Sequence, residues 1–119
     1  MNLQVITLRH GSDERRAYFA VVREIELQAP AALPDALLSV SEMVRFSALR
    51  FPIKQRGFLL SRLAAKGALG ALLTEPELRR IEIRTGVFGQ PLVHHPRAGN
   101  SEVTLSNSHG LAVALAYPG

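Results

Sequence analysis

Apolar positions along the chain follow two rhythms. A period of two governs both ends. Residues 3–8 (LQVITL) and 18–27 (YFAVVREIEL) are short and rich in β-branched and aromatic side chains. They predict two strands, paired across the polar turn at 11–16 (GSDERR). Toward the other end, 80–85 (RIEIRT) alternates cleanly, and 88–91 (FGQP) reads as a turn into a short strand at Leu92 and Val93. Residues 102–105 and 111–116 (LAVALA) predict two further strands. The last is apolar throughout, which predicts cover on both faces.

The middle follows a helical period. Residues 28–34 (QAPAALP) predict an extended linker. Ser39-Val40-Ser41-Glu42 matches a capping box, so a short helix should follow to about residue 49. Pro52 interrupts it, and a longer helix is predicted over about 53–73, with Leu59, Leu60, Leu63, Leu69, Leu72 and Leu73 as its core face. Gly67 and Gly70 inside it suggest a close packing contact. Thr74-Glu75-Pro76-Glu77 reads as a second capping box opening one or two helical turns, and 94–100 (HHPRAGN) as a loop. The sum is one α+β domain over residues 1–119. Its sheet is mainly antiparallel, packed with one long helix and one or two short ones.

Composition narrows the function classes. The chain is 47% hydrophobic, as a packed domain requires, and has no Cys, which excludes disulfides and thiolate metal sites. It has no apolar run near the roughly 20 residues of a membrane span. Its first residues carry charges where a signal peptide needs an apolar stretch, so a cytoplasmic location without a membrane partner is expected. The net charge is +4, which favours a polyanionic partner. Two Tyr, five Phe and no Trp offer little for stacking on bases, so nucleic acid is not the expected partner.

The charge is concentrated. Between Ser39 and Lys66 stand Arg45, Arg50, Lys54, Arg56, Arg62 and Lys66 against the single acid Glu42. A charge run on a helix is ordinarily a solvated face. It is also how rigidly held Arg and Lys grip phosphate. Ser106-Asn107-Ser108-His109-Gly110 offers further phosphate donors at a strand-to-strand turn. Ser108 and His109 would point to opposite faces if both lay on a strand, which argues against one activating the other. His94-His95 lacks a nearby third metal ligand and reads as loop. Glu24-Ile25-Glu26 puts two carboxylates on one strand face, and reads as the polar side of an edge strand.

The order of these pieces carries a resemblance. Arg45, Phe51-Pro52, Lys54, Arg56, Phe58-Leu59-Leu60-Ser61-Arg62 and Ala65-Lys66 come first. Phe88-Gly89-Gln90-Pro91 and then Leu105-Ser106-Asn107-Ser108-His109-Gly110-Leu111 follow. Over about residues 38–116 the sequence resembles the N-terminal half of the surfactin-type 4′-phosphopantetheinyl transferases. These enzymes move phosphopantetheine from coenzyme A to a serine of an acyl or peptidyl carrier protein. The resemblance implies cofactor-binding roles for Arg45, Arg62, Lys66, Gln90, Ser108 and His109. It implies no catalytic or metal-binding residue in this chain. Gln90 stands where the family usually has Lys. The family's magnesium-binding Asp-x-Glu would follow the Ser-His strand, and the sequence reaches Tyr117-Pro118-Gly119 before it. Small homotrimeric carrier-protein synthases of similar length carry their acids near the N-terminus, where none matches here. The implied arrangement is a transferase in which a second chain supplies the Mg2+ ligands. The alternative is a non-catalytic module that binds coenzyme A or a carrier protein.

Overall fold

The computed structural model describes residues 1–24 and 33–119. Four antiparallel strands form the main sheet: β1 (Asn2–His10), β2 (Asp13–Arg23), β5 (Glu102–Ser108) and β6 (Leu111–Tyr117), in the order β1-β2-β6-β5. A separate hairpin pairs β3 (Glu82–Thr85) with β4 (Pro91–His94). The helices are α1 (Leu33–Leu37), α2 (Val40–Ser47) and α3 (Pro52–Leu73), followed by a 3-10 turn at Leu78–Arg80. This is the α+β class that the pattern predicts.

One face of the main sheet packs on α3. Ala20 and Val22 of β2, Ala112, Ala114 and Ala116 of β6, and Val103 of β5 meet Leu60, Ala64, Ala65, Ala68 and Leu69 in a single buried cluster. Register explains the choice: Ala20 pairs with Ala114 and Val22 with Ala112, so small residues lie side by side on the face that receives the helix. β6 differs from its prediction. Only alternate residues are buried; Leu111, Val113 and Leu115 lie on the opposite face, where no helix packs among the described residues. An unbroken apolar run conceals the alternation, because both of its faces are apolar.

Other boundaries shift for local reasons. The polar stretch expected as a turn is a turn only at Gly11 and Ser12; Asp13 to Arg16 already belong to β2. They are polar because this end of the hairpin stands clear of the core, with residues 11–16 exposed. Pro34 lies inside α1 rather than ending a linker, in the first turn, where its missing N–H costs nothing. The rest of that linker and residues 25–27 of the expected second strand lie outside the described residues.

The first capping box forms as expected: Glu42 N–H donates to Ser39 Oγ (3.3 Å) and Ser39 N–H donates to Glu42 Oε1 (3.0 Å). The second does not. Thr74 is the left-handed C-cap of α3 (φ 55°), with its N–H donating to Gly70 O. The carboxylate of Glu75 takes over the local capping, accepting from Glu77 N–H at 3.2 Å. Gly70 allows this tight exit: a Cβ there would fall 2.7 Å from Leu78 Cδ2 and 2.9 Å from Glu75 O.

Candidate functional site

The six basic residues of the central stretch do not form one stripe. Pro52 opens α3 at a new angle, with Phe51 as an N-cap that provides no side-chain hydrogen bond. Lys54, Arg56, Arg45 and Arg50 are exposed, whereas Arg62 and Lys66 turn inward. Lys66 is fully buried (0%), its Nζ donating to Leu37 O at 2.7 Å and to Glu42 Oε1. Glu42, 1% exposed, receives Arg62 Nε on its other oxygen at 3.0 Å. Desolvation lowers the pKa of both Arg62 and Lys66, with Glu42 opposing the shift in each.

Arg62 is the member of this cluster that reaches an opening. Its guanidinium carbon lies 4.6 Å from the centroid of the Phe58 ring, one helical turn before it. It lines a cavity of about 200 Å³ together with Ile83, Arg84 and Thr85 of β3, Gly89 and Pro91 of the hairpin turn, and Leu105 of β5. Arg45 stands behind one wall. Its guanidinium donates to Thr85 Oγ1 and stands 6.0 Å from the same phenyl ring. Two arginines, Arg62 and Arg84, therefore line a small recess between α3, β5 and the β3–β4 hairpin, with Phe58 beside Arg62 and Arg45 bonded to Thr85 of its wall. Arg84 is balanced by Glu82, whose carboxylate also accepts from Ser39 and Ser41.

Gln90 does not point into this recess. Its Oε1 accepts from Phe88 N–H at 2.8 Å, tying up its own turn, while its neighbours Gly89 and Pro91 line the cavity. Ser108 and His109 lie farther along, about 10 Å beyond Leu105 at the strand rise. Asn107 anchors that end of β5 to α3 through Ser61 Oγ and Gly57 O (3.2 Å). The pair does meet: Ser108 Oγ and His109 Nδ1 are 2.7 Å apart. β5 ends at Ser108 and His109 adopts a left-handed conformation (φ 52°), so strand alternation no longer separates them. His109 is exposed and Nδ1 is the ring nitrogen that meets Ser108, so Nε2 and the Ser108 hydroxyl are both available at the turn.

The other sequence candidates have local partners. His95 is buried: its Nε2 is 2.9 Å from Glu75 Oε1, and its Nδ1 accepts from Arg97 N–H at 3.1 Å. Both ring nitrogens are thus engaged. Glu24 pairs with Arg56 (3.1 Å) beside the β5–β6 turn, and its N–H donates to Gly110 O (2.7 Å); Glu26 lies outside the described residues. Sequence reasoning missed Phe58 as the platform under the arginines, Arg84 as the hairpin's cation, and Glu42 as a buried counter-charge. The i, i+4 spacing of Phe58 and Arg62 was the available signal for the first.

No family model matches the sequence, and no curated protein matches it either. Solved structures do match in shape. The holo-(acyl-carrier-protein) synthase of Bacillus anthracis, in complex with CoA (3′,5′-ADP), superposes with a TM-score of 0.75 at 19% identity, over 83% of this chain and 90% of that one. The fold is similar to that of holo-acyl-carrier-protein synthases. The Plasmodium yoelii holo-ACP-synthase gives a TM-score of 0.74 at 16% identity, over 98% of this chain and 96% of that one. The Helicobacter pylori holo-(acyl-carrier-protein) synthase in complex with coenzyme A gives 0.67 at 16% identity, over 82% and 95%. Within this synthase-like fold, among the described residues, no helix is long and apolar enough to cross a membrane.

A transferase of this kind would need Mg2+, and the donors near the cavity do not suit it. A hard divalent cation takes several carboxylate or carbonyl oxygens with room for water. Glu42 is engaged by Arg62 and Lys66, Glu82 by Arg84 and two serines, and Glu24 by Arg56. Among the described residues no three acid or His side chains gather as a metal site.

Proposed function

We propose that this chain is the coenzyme A-gripping part of a 4′-phosphopantetheinyl transferase acting on an acyl or peptidyl carrier protein. The observation that carries the reading is the arginine-lined recess over Phe58, in a fold shared with synthases crystallised with coenzyme A. Coenzyme A bears a pyrophosphate and a separate 3′-phosphate. The recess lined by Arg62 and Arg84, with Arg45 behind its Thr85 wall, would take one anionic group, and the Ser108–His109 turn, about 10 Å along β5, the other. Lys66 and Gln90 serve the same ligand indirectly, Lys66 through Glu42 and Gln90 by fixing the turn that walls the recess.

The reaction moves a phosphoryl group. The carrier serine oxygen attacks the phosphorus bearing pantetheine, the bond to the bridging pyrophosphate oxygen breaks, and 3′,5′-ADP leaves. This chain's share is positioning the pyrophosphate and offsetting its negative charge. A partner chain brings the Mg2+ ligands and the carboxylate that takes the serine proton. The donor set of this chain supports that division, since its carboxylates near the recess already hold cations.

Titration calorimetry tests the grip. Arg62→Ala and His109→Ala should each weaken coenzyme A binding by about 1–3 kcal/mol, the range for hydrogen bonds to charged groups. Unchanged affinity in both variants would refute the site. The division of labour has its own test: robust magnesium-dependent transfer by the purified chain alone would overturn it.

A further inference from the structure

Lys66 is buried completely, yet it lies one helical turn from the residue that faces the recess. A lysine in that position is costly unless its charge has a task. Its immediate partner is Glu42, and Glu42 also holds Arg62. The cluster therefore contains one acid and two cations. Without Lys66, Glu42 would neutralise Arg62, and the recess would lose the cation at its floor. With Lys66 present, one positive charge is left over. Lys66 Nζ is spent on Glu42 and Leu37 O, inside the protein. Arg62 commits only its Nε edge to Glu42. Among the described residues its two Nη groups have no hydrogen-bond partner, and its side chain retains access to the recess. The surplus charge is thus expressed on the Nη fork.

We propose that Glu42 and Lys66 form a buried positioning pair for anion binding. Glu42 fixes the guanidinium of Arg62 over Phe58, and Lys66 cancels the charge of Glu42, so that Arg62 meets a phosphate group as a full cation. Lys66 acts without touching the ligand. The identity of that ligand as coenzyme A rests on the function proposed above; the electrostatic device requires only a phosphate-bearing anion.

The test is a double-variant series on the full chain, with coenzyme A and inorganic pyrophosphate titrated separately and folding followed by thermal melting. Lys66→Met should weaken binding of both probes about tenfold, since it leaves Arg62 neutralised. Glu42→Gln with Lys66→Met removes both charges but keeps an amide oxygen to accept from Arg62 Nε. It should recover affinity to within about threefold of the parent. A merely structural role predicts no such recovery, because the double variant has lost more native contacts than the single one. Wild-type affinity in Lys66→Met, or a double variant as weak as Lys66→Met, would overturn the proposal. If Lys66→Met does not fold, the double variant decides alone: a tenfold loss there would mean that Lys66 matters with no acid left to cancel. The two readings separate by probe. Pyrophosphate binding that follows this series, with coenzyme A binding no tighter, would leave the device standing and remove the cofactor; no binding of either probe to the parent chain would remove both.

Discussion

Thr74 ends α3 in a left-handed conformation that a β-branched side chain adopts at a cost. Glycine is the usual residue there. Thr74→Gly should raise stability by about 0.5–1 kcal/mol, read from urea unfolding, even though glycine also loosens the unfolded chain. Glu82 is a residue-scale case of opposite sign. Its pKa falls from 4.5 to about 2, chiefly through the Ser41 hydroxyl and then through Arg84 and Ser39. A folded pKa below the unfolded one gives stabilisation that is complete above 4.5 and disappears as the pH falls toward 2. The exposed Arg84 is screened by solvent, so Glu82→Gln should cost about 1 kcal/mol near neutral pH and almost nothing near pH 2. Equal loss at both extremes would mean that packing, rather than charge, is what Glu82 contributes.

At the scale of elements, α3 places opposite demands on its glycines. A Cβ at Gly57 would meet only Asn107 Nδ2 at 3.8 Å, an ordinary contact. Gly57→Ala should therefore stabilise the helix by up to about 1 kcal/mol. At Gly70 the added atom strikes Glu75 O, which is backbone and cannot yield cheaply, so Gly70→Ala should destabilise by about 1–3 kcal/mol. Thermal melting of the two variants checks the pair of signs. The period of α3 was legible in its leucines, and so was the capping box of α2. What the sequence could not show is that Glu42 serves twice. Its spacing from Ser39 announces a cap, whereas its burial against Arg62 and Lys66 depends on α2 packing against α3, twenty or more residues away along the chain. The same long-range packing drew two members of an apparent surface stripe, Arg62 and Lys66, into a buried cluster. Pattern reading assigns a charged residue to solvent unless something marks its partner, and the partner here was already accounted for as a cap. The Ser108–His109 contact was missed for a local reason: β5 runs on to Ser108, past the stretch the pattern predicts, and His109 then leaves the β region, so strand alternation does not part the two side chains.

At the scale of the whole molecule, the main sheet carries α3 on one face, and among the described residues no helix covers the other. The other face presents Phe19 and Val21 of β2 beside Val113 and Leu115 of β6, since Phe19 pairs with Leu115 and Val21 with Val113. A groove of about 370 Å³ runs over it, lined by Phe19, Val113 and Leu115 with Thr104 and Ser106 of β5. An antiparallel sheet that stands alone usually carries polar residues on its solvent face; this one has polar residues on β5 and apolar ones at its centre. An apolar face of this kind would suit a second chain, and the proposed function calls for one. Leu115→Lys separates the two roles of the sheet. The side chain points away from α3, so folding should be retained, with a melting temperature close to the parent's. Coenzyme A binding by the isolated chain should also survive, because the arginine recess lies on the helix side. Association with the acid-bearing partner should fall at least tenfold, an energy of about 1.4 kcal/mol, and transfer to the carrier serine should fall with it. Sedimentation of the mixed chains measures the first, and a transfer assay at saturating coenzyme A the second. If assembly and transfer both withstand a lysine at the centre of that face, the partner sits elsewhere, and the apolar surface needs another explanation.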